Sequence, residues 1–157
     1  MEKNERIIAK TIAETEKCFI DESINDKKEY TTATMLCGER FSYQIAYVNE
    51  GLPAGVENLW CRIRVEGPCA DWVSVQRVES VPVRMPATID CEDQNFLRRE
   101  PGLFPDLLRP ITEKNRVYVT SDLQSVWVDI RVPEDAAAGD HTLKFTLYNG
   151  ESEEEEI

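Results

Sequence analysis

The fold of this chain is decided by residues 124–147, which have the sequence QSVWVDIRVPEDAAAGDHTLKFTL. In the first part of this stretch, aliphatic side chains alternate with Trp127 and Asp129, the period-two pattern of a strand that is buried on one face. Pro133 cannot donate a hydrogen bond to a strand ladder, and Gly139 lies in a connection rich in turn residues. A second alternating segment follows. The stretch therefore predicts two antiparallel strands that are joined by a tight connection.

The same alternation predicts which side chains enter the core. We expect six residues of these two strands to face the interior, namely Val126, Val128, Ile130, Leu143, Phe145 and Leu147. Two further core strands are predicted over residues 41–47 and 59–65, where large apolar side chains alternate with polar or small ones.

Weaker patterns cover the rest of the chain. We expect strands over residues 7–12, 17–20 and 116–120, an extended segment over 31–36, two short strands within 72–83 and an irregular connection over 87–112. The break within 72–83 is placed near Glu79 and Ser80, and Pro82 and Pro86 favour a sheet edge for its second half. Strands that recur between turn residues predict an all-β, immunoglobulin-like antiparallel sandwich of about seven to nine strands.

The composition limits the kinds of partner. With 157 residues the chain is long enough for one domain with its own core, and we assign residues 1–157 to a single domain. Its 30 acidic and 18 basic residues give a net charge of −12 at pH 7. Because an acidic chain without a basic stripe repels phosphates, we expect neither nucleic acid nor a membrane as a partner. No signal peptide is visible, which predicts a cytoplasmic location, or an extracellular one if a leader was trimmed.

The two ends of the chain differ from its middle. Residues 1–16 are poorly patterned, and residues 151–157 form the acidic tail ESEEEEI. Asn149 and Gly150 form a hairpin-turn dipeptide, after which another strand is expected. We therefore predict that the chain is a fragment of a longer protein and that its sandwich lacks the last strand.

No pattern of catalytic residues is found. Acidic pairs such as Asp21 with Glu22, or Glu92 with Asp93, are loop neighbours, and adjacency does not set two carboxyl groups across one glycosidic bond. A nucleophilic triad would have to use His141, the single histidine, and no serine or cysteine lies in a nucleophile signature. We assign no catalytic residue and expect this chain by itself not to be an enzyme.

Metal and cofactor sites are not predicted either. Five cysteines without metal-site spacing are expected to be buried, reduced thiols: Cys18, Cys37, Cys61, Cys69 and Cys91. Residues 90–95, DCEDQN, offer oxygen ligands for calcium but lack the glycine and the final glutamate of an EF-hand loop.

Three tryptophans, Trp60, Trp72 and Trp127, are the candidates for contact with sugar. Indole rings stack on the C–H faces of sugars, but tryptophans also pack under loops and at domain interfaces. We favour packing, and the sequence leaves open whether these rings contact a glycan or a neighbouring domain.

Three segments in order resemble the N-terminal β-sandwich domain of glycoside hydrolase family 123-like proteins. Residues 37–44 (CGERFSYQ) resemble its opening element, and residues 104–110 (FPDLLRP) resemble its Tyr-Pro-Asp-x-Leu-x-Pro loop. Residues 124–142 resemble its Trp-, Pro- and Gly-containing hairpin. Phe104 and His141 stand where that family commonly has tyrosine. The resemblance covers about residues 17–148.

The resemblance implies a non-catalytic accessory domain. In that family a downstream (β/α) barrel cleaves N-acetylgalactosaminide-type β-glycosides with help from the substrate's acetamido group, and none of the barrel's residues is present here. The expected partner is therefore the catalytic barrel of the same polypeptide, which the sandwich would orient, with a glycan as a second candidate. The alternatives are an independent carbohydrate-binding module and a self-standing interaction domain.

Overall fold

The computed structural model of the chain describes residues 7–51, 59–87, 92, 94–111 and 116–149. The strands within these ranges are β1 Ile7–Ala13, β2 Arg40–Asn49, β3 Leu59–Glu66, β4 Val73–Val83, β5 Gly102–Pro110, β6 Arg116–Val119, β7 Gln124–Arg131 and β8 Lys144–Asn149. Two single turns of 3-10 helix, Ile24–Asp26 and Ala70–Trp72, complete the regular structure of the described part. The first six residues and the predicted tail over 151–157 lie outside the described residues.

The strands form two antiparallel sheets that pack face to face. The larger sheet has the order β1-β2-β7-β4-β5, and the smaller sheet has the order β6-β3-β8. Their facing side chains form one core, in which Tyr43, Ile45 and Val128 of the larger sheet meet Ile63 and Val117 of the smaller sheet. The predicted all-β sandwich is confirmed. The predicted missing last strand stays a prediction.

The six side chains that were predicted to point inward all belong to this core. Val126 and Val128 are fully buried and Ile130 nearly so, while Leu143, Phe145 and Leu147 pack against them as partly buried residues. Alternation within a strand therefore correctly identified the buried face of β7 and of β8.

The prediction that β7 and β8 are joined by a tight connection as one pair was wrong. β7 pairs with β2 and β4 in the larger sheet, whereas β8 pairs with β3 in the smaller sheet. The connection crosses from one sheet to the other, and Val132 stays beside β2 because its N–H donates to the carbonyl of Glu39 at 2.9 Å. Alternation defines the buried face of a strand but not its neighbour, so both arrangements bury the same side chains.

Two other predictions need correction. The expected irregular connection over 87–112 contains β5, which pairs with β4 along most of its length. Residues 17–20 form no strand. Pro105 and Pro110 are compatible with a strand in β5 because β5 lies at the edge of its sheet. The extended segment predicted over 31–36 has no regular structure and stays a prediction.

The region over 72–83 forms one strand with an irregularity where a break was expected. The register of β4 against β5 shifts between Glu79 and Ser80, as at a β-bulge. Pairing of β4 with β7 runs from Val73 to Val78, while Pro82 faces Leu103 of β5. Pro82 therefore lies in the part of β4 that pairs with β5 and not with β7, where its missing N–H donor is tolerated.

Residues 14–30, which we call the strap, cross the outer face of the larger sheet. They enclose a second, smaller core of buried side chains: Ile12, Cys18, Ile24, Ala46, Val48 and Leu123. The side chain of Gln44 anchors the strap, since its Nε2 donates to the carbonyl of Glu16 at 2.6 Å. The buried Lys27 ammonium donates to the carbonyl of Lys17 at 2.6 Å and to Glu22 Oε2 at 2.7 Å. The strap thus explains why residues 18–20 are apolar without forming a strand.

Candidate functional site

The most buried carboxylate in the described part is that of Asp129, on the outer face of β7. It accepts hydrogen bonds from Arg40 Nη2 at 2.5 Å, Ser42 Oγ at 2.5 Å and Trp127 Nε1 at 3.1 Å. Antiparallel pairing puts Ser42 directly opposite Asp129 and Trp127 on the same face two residues away. This cluster ties β2 to β7.

These contacts determine how Asp129 ionises. Burial by itself would raise the pKa of the Asp129 carboxyl, but the hydrogen bonds donated by Arg40, Ser42 and Trp127 outweigh it and hold that pKa below its usual value. A carboxylate that stays ionised and fully hydrogen-bonded is a poor proton donor at neutral pH. The cluster is therefore suited to a structural role rather than to general acid catalysis.

The lowered pKa of Asp129 gives a pH-dependent prediction. We expect Asp129→Asn to cost about 2 kcal/mol at pH 7, because the amide replaces a charged acceptor of three hydrogen bonds. The folded pKa lies below the unfolded value of about 3.8, so the carboxylate's contribution is complete above that value and is lost as the pH falls through the folded pKa. Urea unfolding of both proteins between pH 3 and pH 7 should show the difference shrinking only at the acidic end. Asp135→Asn, at an exposed aspartate of the 132–143 connection, is the control and should change little.

The acidic pairs considered from sequence do not form an acid–base site. Asp21 is bound by Arg98 at 2.7 Å and Glu22 by Lys27 at 2.7 Å, so the two carboxylates are held by different cations. Of the second pair, Glu92 is exposed and Asp93 lies outside the described residues. The residues 90–95 proposed for calcium are likewise described only in part. Within the described ranges, no group of three potential metal ligands is found.

The cysteines follow the prediction with one exception. Cys18, Cys61 and Cys69 are buried, and burial raises the pKa of the Cys18 thiol to about 11. Cys37 is exposed instead, because it lies in the turn before β2, where its Sγ is 3.5 Å from the carbonyl oxygen of Ala136. Cys91 lies outside the described residues.

The tryptophans considered as a sugar platform are dispersed. Trp127 is on the larger sheet and donates to Asp129, whereas Trp72 ends a 3-10 turn and packs against the core. His141 is exposed, and its ring centroid lies 5.2 Å from that of Trp72. Its Nε2 is 3.0 Å from the carbonyl oxygen of Ala137. Trp60 belongs to β3, where it is the register partner of Tyr118, and its side chain is not described. The two described indoles therefore form no common platform.

A polar surface that the sequence analysis missed covers the outside of the smaller sheet. We call it the arginine face, and its described side chains are Arg62, Arg64, Glu66, Arg116, Tyr118, Lys144, Thr146 and Tyr148. They alternate with the core residues of β3, β6 and β8, and pairing sets Arg62 beside both Arg116 and Tyr148. Four of these residues are basic and one is acidic, in a chain whose net charge is −12. No basic stripe is visible in the sequence because the cations come from three separate strands.

Contacts within the arginine face fix one of its guanidinium groups. The Arg64 guanidinium lies over the Tyr148 ring, 5.0 Å from its centroid. The ammonium of Lys144 is 3.9 Å from Glu66 Oε2. Arg62 Nε is buried and has no hydrogen-bond partner among the described residues. The face therefore presents one oriented guanidinium, that of Arg64, over the half-buried Tyr148 ring.

In the part of the chain that the structure describes, no helix is long and apolar enough to cross a bilayer.

Comparison with known proteins relates the fold to solved structures. Neither a protein-family model nor a curated protein sequence matches the chain. A structure of a family 123 glycoside hydrolase from Clostridium perfringens, studied for glycolipid glycan hydrolysis, is similar with a TM-score of 0.66 and 10% sequence identity. The match covers 94% of this chain and 25% of that chain. The chain thus spans about a quarter of that protein, and at this identity the likeness shows that the two share a β-sandwich fold.

Proposed function

We propose that this chain is a non-catalytic accessory domain of a glycoside hydrolase, which packs against a catalytic barrel in the same polypeptide and orients it. The observation that carries the proposal is the coverage of the structural match. Nearly the whole sandwich superposes on a quarter of a family 123 glycoside hydrolase, which is the relation expected of one domain of a larger enzyme.

The interior of the sandwich supports this role. Its two cores are filled by aliphatic and aromatic side chains, and its buried ionisable groups are used to join strands and to hold the strap. The carboxylates of Asp129, Asp21 and Glu22 each serve a separate ion pair. A glycosidase instead needs two carboxyl groups that face one bond from a distance of about 5 to 10 Å.

The finer part of the proposal concerns the substrate. The sequence resemblance points to N-acetylgalactosaminide-type β-glycosides, which the barrel would cleave with assistance from the acetamido group. The sandwich would form one wall beside that barrel and contribute no reacting group.

Sequencing the complete coding frame and expressing the whole protein from it tests this function. We expect the frame to continue past Ile157 into a barrel-length segment, and the whole protein to hydrolyse an aryl N-acetylgalactosaminide. This chain alone should give the uncatalysed rate, because the residues that the structure describes supply no acid–base pair for the reaction. A stop codon directly after Ile157, or turnover by this chain that a single Asp or Glu substitution abolishes, would contradict the proposal.

A further inference from the structure

We propose that the arginine face binds an oligosaccharide that carries a carboxylate, such as one that contains a uronic or a sialic acid. This binding function is separate from the accessory role. It concerns an open surface of this chain alone and needs no second domain.

The first argument is that no ion pair among the described residues uses the arginines of this face. Many basic side chains elsewhere in the described part do serve internal contacts, since they bind carboxylates or backbone carbonyls: Lys10, Lys17, Lys27, Arg40, Arg77, Arg98 and Arg109. None of the ion pairs among the described residues involves Arg62, Arg64 or Arg116. Three guanidinium groups on neighbouring strands, without acidic partners in this part of the chain, repel one another. An anionic ligand would relieve that repulsion.

The second argument is that one guanidinium is already oriented. Because the Arg64 guanidinium lies over the Tyr148 ring, with its Cζ 5.0 Å from the ring centroid, its position is restrained before any ligand arrives. Stacking leaves the in-plane N–H groups at the edge of the guanidinium, and this fork matches the two oxygens of a carboxylate. Arg62 lies on the same strand and the same face, two residues from Arg64, and its half-buried side chain adds a second guanidinium there.

The third argument is that the size and composition of the face suit a sugar better than a protein. Three strands and four same-face rows span about 10 Å by 20 Å, whereas a specific protein interface buries about 800 Å² on each partner. The described side chains of the arginine face include no aliphatic residue, although protein interfaces have an apolar centre. The half-buried Tyr148 instead supplies an aromatic side chain next to the Arg64 guanidinium, and side chains of this kind pack against the C–H faces of pyranoses.

The fourth argument concerns the charge of the ligand. The whole chain carries −12, so a long polyanion such as a nucleic acid would gain from the arginine face but be repelled by the rest of the surface. A short oligosaccharide with one carboxylate meets the local cations without extending over the acidic surface. The structure therefore favours a sparsely charged glycan.

The test is an NMR titration of the isotope-labelled chain with two acidic probes, sialyllactose and digalacturonate. Lactose and the methyl ester of sialyllactose are the neutral controls. We expect both acidic probes to shift backbone amides of β3 and β8 around Arg62, Arg64 and Tyr148, with millimolar affinity typical of a small open site. The neutral sugars should bind at least about tenfold more weakly, since they cannot form the charge-assisted hydrogen bonds.

Variants distinguish specific binding at the arginine face from non-specific electrostatic attraction. Arg64→Gln and Arg62→Gln should each weaken binding of sialyllactose about tenfold, and Tyr148→Phe should retain binding because phenylalanine keeps the stack. Arg131→Gln, at an exposed arginine of the larger sheet, is the matched control and should change nothing. Melting temperatures will show that each variant is folded.

Three results would overturn the proposal: no shift with either acidic probe at millimolar concentration, equal binding of the methyl ester, or an equal loss with Arg131→Gln. Tighter binding of a single-stranded oligonucleotide or of polyglutamate at the same amides would assign the face to another partner and would also overturn it. Each of these results leaves the accessory role intact, because that role is tested by the coding frame and by hydrolysis.

Discussion

Replacing Gly67 with alanine should destabilise the sandwich by about 3 kcal/mol or more. Gly67 follows β3 with φ of +138°, a conformation that L-residues rarely adopt, and a Cβ there would lie 2.3 Å from the carbonyl oxygen of Thr142. The strained backbone and the clash each cost about 1 to 3 kcal/mol. Thr142 immediately precedes β8, so relief of the clash would pull β8 away from β3. Urea denaturation measures the loss, and a thermal scan should show the midpoint roughly 10 °C lower.

A matched glycine provides the control for this substitution. A Cβ on Gly102, at the start of β5, meets no atom within 4 Å and requires no positive φ. Gly102→Ala should therefore be neutral, or stabilise by a few tenths of a kcal/mol through the unfolded state. If both alanine variants unfolded at the same urea concentration, the prediction that a Cβ at position 67 clashes with Thr142 would be wrong.

Replacing Ile12 with alanine should cost about 3 kcal/mol. Ile12 is fully buried between β1 and the strap, where it packs with Ile24, Ala46 and Leu123. Truncation removes buried methyl groups and leaves a cavity beneath the strap, and such changes cost about 2 to 5 kcal/mol in well-packed cores. The free energy of unfolding from urea titrations measures the effect.

Ile8 is the matched control because it lies on the same strand and the same face but only partly buried beside the cluster. Ile8→Ala should cost about 1 kcal/mol, in proportion to the smaller apolar area that it loses from the interior. An equal effect of the two substitutions would mean that the strap does not form a second core. Small effects of both would mean that β1 and the strap contribute little to stability.

The resemblance to one family and the structural match both indicate a β-sandwich fold, but they depend on different features of the chain. The resemblance depended on short segments over 37–44, 104–110 and 124–142. The structural match depends on the arrangement of backbone strands, at 10% sequence identity. The segment over 104–110 shows how the two differ, because the sequence analysis treated it as part of a connection and the structure makes it most of edge strand β5.

The main wrong prediction concerned which strands lie next to each other in a sheet. A sequence reports each residue's local preference, whereas the partner of a strand is chosen by contacts between residues far apart in the chain. The alternation in β7 and β8 could not show to which sheet each strand belongs. The same six side chains are buried whether β7 pairs with β8 or the two strands lie in different sheets. The strap was not predicted for a related reason. The apolar residues at 18–20 are compatible with a buried strand and equally with a loop that covers a sheet.

By itself, the sequence determined the all-β class, the buried faces of the four core strands and the β4 irregularity near Glu79, because alternation, proline and turn residues act within a few positions of the chain. Only the tertiary structure decided which strands are neighbours, how the strap covers the larger sheet and where the arginine face forms. Arg62, Arg116 and Tyr148 are far apart in sequence and meet because β3 pairs with both β6 and β8. A surface assembled from three strands exists only after long-range pairing has brought those strands together.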